Sequence, residues 1–125
     1  MTKRINLARA DLEVLLTEYA DAALTHRRAS REGKYKTANR AYTRLSAVVH
    51  ELRTRGGAVA QGALLRLLKD ERIEVRGWAA AHALEFAPDR ALVVLEEIAS
   101  GPASLEEFSA KMVLQQWRSG ILRAP

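Results

Sequence analysis

Residues 61–87 and 91–117 carry one apolar pattern at a gap-free offset of 30. Leu65 falls on Leu95, Leu68 on Ile98, Val75 on Leu105, Trp78 on Phe108, Ala80 on Ala110, Ala83 on Val113 and Leu84 on Leu114. A pair of short amphipathic helices cannot bury its own apolar face, so two such pairs in succession predict a stack in which neighbours share one core. This restricts the C-terminal half to packed helix pairs, with Leu65 and Leu95 turned inward.

The same periodicity extends to the N-terminal half. A first helix is expected from about Leu7 to Arg28, with Ala8, Leu12, Leu15, Leu16, Tyr19 and Ala23 on one stripe. A second is expected from about Tyr35 to Arg55, burying Ala38, Ala41, Tyr42, Leu45, Val48, Val49 and Leu52. Gly56-Gly57 ends it, because glycine accepts the left-handed cap conformation. Four shorter helices follow near 59–69, 74–87, 89–99 and 105–119, and proline occurs only at Pro88, Pro102 and Pro125, where it punctuates the pattern. Ser104 is placed to cap the last helix, with Glu106 and Glu107 in its first turn, where the helix dipole favours acids.

The run from Leu64 to Asp70, followed by Val75-Arg76 and the stretch Ala79-Ala80-Ala81-His82-Ala83-Leu84, resembles a HEAT repeat of the armadillo-like superfamily. The resemblance implies a right-handed stack of antiparallel helix pairs, and it implies structural roles for Asp70 and Arg76, which in such repeats commonly bond within or between copies. The second copy has Ser100 and Glu106 at the matching positions, so it is a degenerate repeat. The whole chain also resembles small bacterial HEAT-like domains of unknown function, some of which lie near toxin and immunity genes. The expected organisation is all-α and a single domain over 1–125, with a long hairpin at 7–56, a HEAT-like repeat at 57–87 and a second, degenerate one at 88–120.

A chain of 125 residues with 48% hydrophobic and 28% charged residues is long enough to bury a core without staples. It has no cysteine, which excludes disulfides, thiolate metal sites and a Cys nucleophile, and fits a reducing cytoplasm. The N-terminal segment MTKRINLARADLEVLL has Arg9, Asp11 and Glu13 breaking any apolar run, so no signal peptide is expected, and the longest stretch without an acidic or basic residue, Gly56 to Leu65, is far too short to span a bilayer.

Charge is distributed unevenly. Residues 1–60 carry 12 basic and 6 acidic side chains, net +6, while residues 61–125 carry 8 and 9, net −1. Between Arg27 and Arg55 there are nine basic residues and only Glu32 and Glu51 against them. Lys36, Arg40 and Arg44 recur every four residues and lie within about 40° of a common direction on a helix. Arg27, Arg28, Arg31 and Lys34 precede them, with Tyr35 and Asn39 nearby. An acidic partner or a phosphate backbone would feel this field.

Chemistry-bearing constellations are missing from the text. His50-Glu51-Leu52-Arg53-Thr54 begins like a zinc-protease helix, but Thr54 stands where the second histidine is needed. No serine sits in a nucleophile elbow, and Gly56-Gly57 lacks the Lys-Ser/Thr of a phosphate loop. The carboxylate pairs Asp70-Glu71, Glu96-Glu97 and Glu106-Glu107 are sequence neighbours, which diverge by about 100° on a helix. His82 and Trp78 read as core residues. No metal, cofactor or catalytic residue is expected. The expectation is a non-enzymatic, cytoplasmic protein-interaction module, immunity-like or regulatory in role. Lys36, Arg40, Arg44, Arg31 and Lys34 are expected to meet an acidic protein, and the alternative is phosphate-backbone binding of nucleic acid through residues 27–55.

Overall fold

The structure is a computed structural model that describes residues 6–120. Six α-helices follow a single 3-10 turn, Leu7–Arg9, and no strand occurs among the described residues. They are α1 Leu12–Arg31, α2 Tyr35–Thr54, α3 Gly57–Leu67, α4 Ile73–Ala83, α5 Pro88–Ala99 and α6 Leu105–Arg118. The chain divides into two compact units, Met1–Ala60 and Gln61–Pro125, with α3 beginning in the first and running into the second.

The first unit is a hairpin of two 20-residue helices packed against each other. The chain enters α1 five residues later than periodicity suggests, because Asp11 caps it: its carboxylate accepts the Val14 amide at 3.0 Å. Leu7 and Ala8 therefore fall outside α1, and Ala8 is exposed. The buried stripe is Leu15, Leu16, Tyr19, Ala20, Ala22 and Ala23 on α1, facing Ala38, Ala41, Leu45, Val48, Val49 and Leu52 on α2. Tyr42, expected in that set, lies largely outside it at 41% exposure. Each fully buried leucine here contributes about 1.5 to 3 kcal/mol through removal from water.

Gly33 makes the hairpin turn possible. Its φ of +72° lets the Gly33 amide donate to Ser30 O at 3.3 Å and the Lys34 amide to Ala29 O at 2.8 Å, which closes the end of α1 with the paired bonds of a Schellman motif. At the other end of the hairpin, Arg55 donates to Glu51 Oε2 at 2.9 Å and to the carbonyls of Leu7 and Ala10. The short 3-10 turn is thereby fastened to the end of α2.

In the second unit α5 packs against both α4 and α6. Pro88 opens α5 at its first position, and Ser104 caps α6 by accepting the Glu107 amide at 3.0 Å. The loop between α3 and α4 is closed by arginines. Arg76 donates to the carbonyls of Asp70 and Glu71 at 2.9 and 2.8 Å, and Arg72 grips the Asp70 carboxylate through its amide and guanidinium, all at 2.9 Å.

The offset of 30 is respected by the helices but not by all their faces. Leu68 and Ile98, Ala80 and Ala110, and Leu84 and Leu114 are buried in pairs, and Leu95 is buried with Leu65 half-buried. The aligned positions part at the start of the second helix of each copy. Val75 is fully buried and Trp78 half-buried, stacked on buried His82 at 5.9 Å between ring centroids. Leu105 and Phe108 are instead 40% and 60% exposed, and Met112, one turn beyond Phe108, is exposed with them.

Candidate functional site

The chemistry the sequence singles out, the basic segment 27–55, lies wholly in the first unit, where it divides into two parts. The expectation of one uniform row through Lys36, Arg40 and Arg44 needs correction at its last member. Arg44 turns toward α1: Nε and Nη2 meet Glu18 Oε2 and Oε1 at 2.8 and 2.9 Å, and Nη2 meets Asp21 Oδ2 at 2.6 Å. Hydrogen bonding to Glu18 raises the pKa of the guanidinium, burial opposes this, and the bond to Asp21 adds to the rise. Within residues 27–55 the acids are Glu32 and Glu51 alone. The relevant acids are 23 and 26 residues away, and only the hairpin register brings them to α2.

Arg53 and Arg55 lie at the far end of α2, and the cations from Arg28 to Arg40 gather around the hairpin tip. Arg28, Arg31, Lys34, Lys36 and Arg40 are all exposed, as are Asn39 and Tyr35, the latter at 69%. Lys34 pairs with Glu32 at 3.1 Å in open solvent, a contact worth no more than about 1 kcal/mol. Arg40 reaches Thr37 Oγ1 at 3.3 Å, and neither the Arg28 nor the Lys36 side chain meets a hydrogen-bonding or ionic partner among the described residues.

The helix ends sharpen this asymmetry. Arg28 and Arg31 lie in the last turn of α1, where the helix dipole welcomes positive charge. The first turn of α2 has no acid and its N-cap, Lys34, makes no side-chain cap bond, so Lys34 and Lys36 stand at the positive end of a helix. An anionic group brought to the N-terminus of α2 meets these cations and the positive end of that helix, with the negative end of α1 offset by Arg28 and Arg31.

His26, on the last turns of α1, is half-buried, and burial followed by the charge of Arg27 lowers its pKa below 6.5. Tyr19 is fully buried, and burial pushes its phenol well above its ordinary range. His82 packs on Trp78, and His50 is exposed on α2. Among the described residues no three His, Asp or Glu side chains are grouped so as to hold a metal ion. No described helix is long and apolar enough to cross a membrane. A shallow groove of about 750 Å³ lies between α5 and α6, with the Glu96–Arg118 ion pair at 2.7 Å among its lining residues.

One exposed feature escaped the sequence reading, the apolar stripe Leu105, Phe108 and Met112 on α6. The offset of 30 places Leu105 and Phe108 on Val75 and Trp78, which assigns both to the core, and Met112 falls outside the aligned apolar set.

These features define an all-α protein that joins a long helical hairpin with a basic tip to a second unit of shorter helices. The chain belongs to the DUF2019 family, a domain of unknown function, whose pattern it matches over residues 13–117. It is similar to the crystal structure of the protein RPA1889 from Rhodopseudomonas palustris CGA009, with a TM-score of 0.85 and 24% sequence identity over 98% of this chain and 100% of that one. At that identity the likeness establishes the fold. No curated protein matches the chain.

Proposed function

We propose that this chain is a non-enzymatic helical interaction module that docks an acidic protein through the tip of its N-terminal hairpin. The observation that carries the reading is the exposed group of Arg28, Lys36 and Arg40 beside Tyr35, which the described carboxylates leave uncompensated. Cations at the uncapped N-terminus of α2 oppose its dipole, so the free protein bears a local electrostatic cost that an acidic partner relieves. Tyr35 adds a rigid, amphipathic contact of the kind interfaces favour. The cytoplasm is the compartment this reading assumes, and an immunity-like or regulatory role is one form of such docking.

HEAT-like architecture, with its right-handed turn, belongs to the same proposal. The offset of 30 and the loop clasped by Arg76 support it for the C-terminal unit.

The test compares wild type with Lys36→Glu/Arg40→Glu in capture from the host's own extract, alongside direct titration with duplex and single-stranded oligonucleotides at about 50 mM salt. The expected result is an acidic protein held by wild type and lost by the variant. Identical captured sets remove the basic tip from the mechanism. Salt-sensitive oligonucleotide binding with no protein captured transfers these residues to phosphate contact.

A further inference from the structure

The acidic-partner reading can be narrowed to one end of α2, and this inference rests on that reading. The helix's basic residues differ in what they touch. Toward its C-terminus, Arg44 is held by Glu18 and Asp21, and Arg55 by Glu51 and two backbone carbonyls. Toward its N-terminus, the Lys36 side chain has no hydrogen bond or ion pair among the described residues, and the Arg40 side chain meets only the Thr37 hydroxyl.

We infer that Glu18 and Asp21 mask Arg44 and confine the anion-accepting surface to the hairpin tip, so that the partner engages it with a short carboxylate cluster rather than an acidic face running along α2. Arg44 makes three bonds to two carboxylates, and the three side chains together carry one net negative charge. An incoming carboxylate is therefore repelled there, whereas Lys36 and Arg40, one turn apart, offer two positive charges about 6 Å along the axis. Along the helix Arg44 lies about 12 Å from Lys36, beyond a Debye length of about 8 Å at physiological salt, and about 6 Å from Arg40, within it. The masking acids thus close the lower part of the face, temper the field at Arg40 and leave that at Lys36 unscreened by them. Asp21, 64% exposed at its side chain, is the outer member of the mask, while Glu18 is the more enclosed.

The experiment titrates the full chain with labelled glutamate peptides of about 6 and about 20 residues, the shorter reaching roughly 20 Å when extended. Lys36→Gln and Arg40→Gln are each expected to weaken both peptides about threefold or more, the size of one exposed ion pair, and Arg44→Gln to change them by less than about twofold. Asp21→Asn keeps the two-point bond between Arg44 and Glu18, and is expected to tighten the longer peptide about twofold while leaving the shorter one unchanged. Helicity by circular dichroism accompanies each variant. An Arg44→Gln protein of native helicity that loses as much affinity as Arg40→Gln overturns the inference but leaves the acidic-partner reading standing. If Arg44→Gln does not fold, Asp21→Asn decides, and equal affinity to wild type for both peptides overturns it. Wild type that binds neither peptide removes the reading and the inference together.

Discussion

Arg44 and Glu18 join the two helices of the hairpin through a two-point contact, Nε to Oε2 at 2.8 Å and Nη2 to Oε1 at 2.9 Å. The side chains are 31% and 13% exposed, so neither charge is fully hydrated and each depends on the other. Removing Arg44 strands Glu18, and removing Glu18 leaves Arg44 with the exposed Asp21 alone; breaking such a pair costs about 3 to 5 kcal/mol when it is fully buried and, with this residual exposure, roughly 1 to 3 kcal/mol. Arg44→Leu and Glu18→Leu should each lower the urea midpoint accordingly. The double variant should be more stable than the sum of the singles predicts, because the two enclosed charges leave together and only the well-exposed Asp21 loses a partner. Additive losses would show that the contact contributes no coupling.

His26 makes the hairpin sensitive to mild acid. Its pKa in the folded chain lies below 6.5, through burial and then through Arg27, so the unfolded chain takes up the proton first as pH falls. Stability is therefore complete above about pH 6.5 and declines below it, down to the folded pKa, where the dependence on this group ends. Urea unfolding at several values between pH 7.5 and 5 should show that slope in wild type, reduced in His26→Gln. Equal slopes would remove His26 as its source.

In the second unit, aligned positions should answer differently to truncation. Leu84 and Leu95 are buried, and Leu84→Ala or Leu95→Ala should each cost about 2 to 5 kcal/mol. Phe108, 60% exposed, should change stability by no more than about 0.5 kcal/mol when replaced by Ser. Thermal or chemical unfolding of the three variants checks the contrast. A large loss from Phe108→Ser would mean that α6 buries the face described here as open.

Arg76 holds the loop between α3 and α4 through the carbonyls of Asp70 and Glu71. Arg76→Ala leaves those acceptors to water and should cost roughly 1 to 3 kcal/mol. Arg72 acts on the same loop by hydrogen bonding to the Asp70 carboxylate, which holds that carboxyl below 3.8. The stability it supplies is present above about pH 4 and is lost as pH falls through the folded value. Arg72→Gln should flatten that acid limb, measured by unfolding between about pH 5 and 2.5.

Much of this architecture was legible because local chemistry agrees with periodicity. Pro88, Ser104 and the Gly56-Gly57 pair stand where elements begin or end, and α2 and α5 start and stop within a residue or two of the expected positions. The Asp11 cap is hidden from periodicity because Leu7 and Ala8 continue the apolar rhythm across it, and a cap is a local hydrogen bond that periodicity does not register. The mask on Arg44 depends on helix-to-helix register, which no window within α2 contains. The openness of Leu105 and Phe108 illustrates a related limit: an apolar stripe shows which face of a helix avoids water, but not whether a neighbour covers it.

The most direct test is a backbone-amide NMR titration of the full chain with the captured acidic protein, or with the shorter glutamate peptide. The account predicts that the shifted amides cluster between Arg28 and Arg40, while those around Arg44 and along α6 hold still. Shifts centred on Leu105, Phe108 and Met112, with the hairpin tip silent, would contradict it.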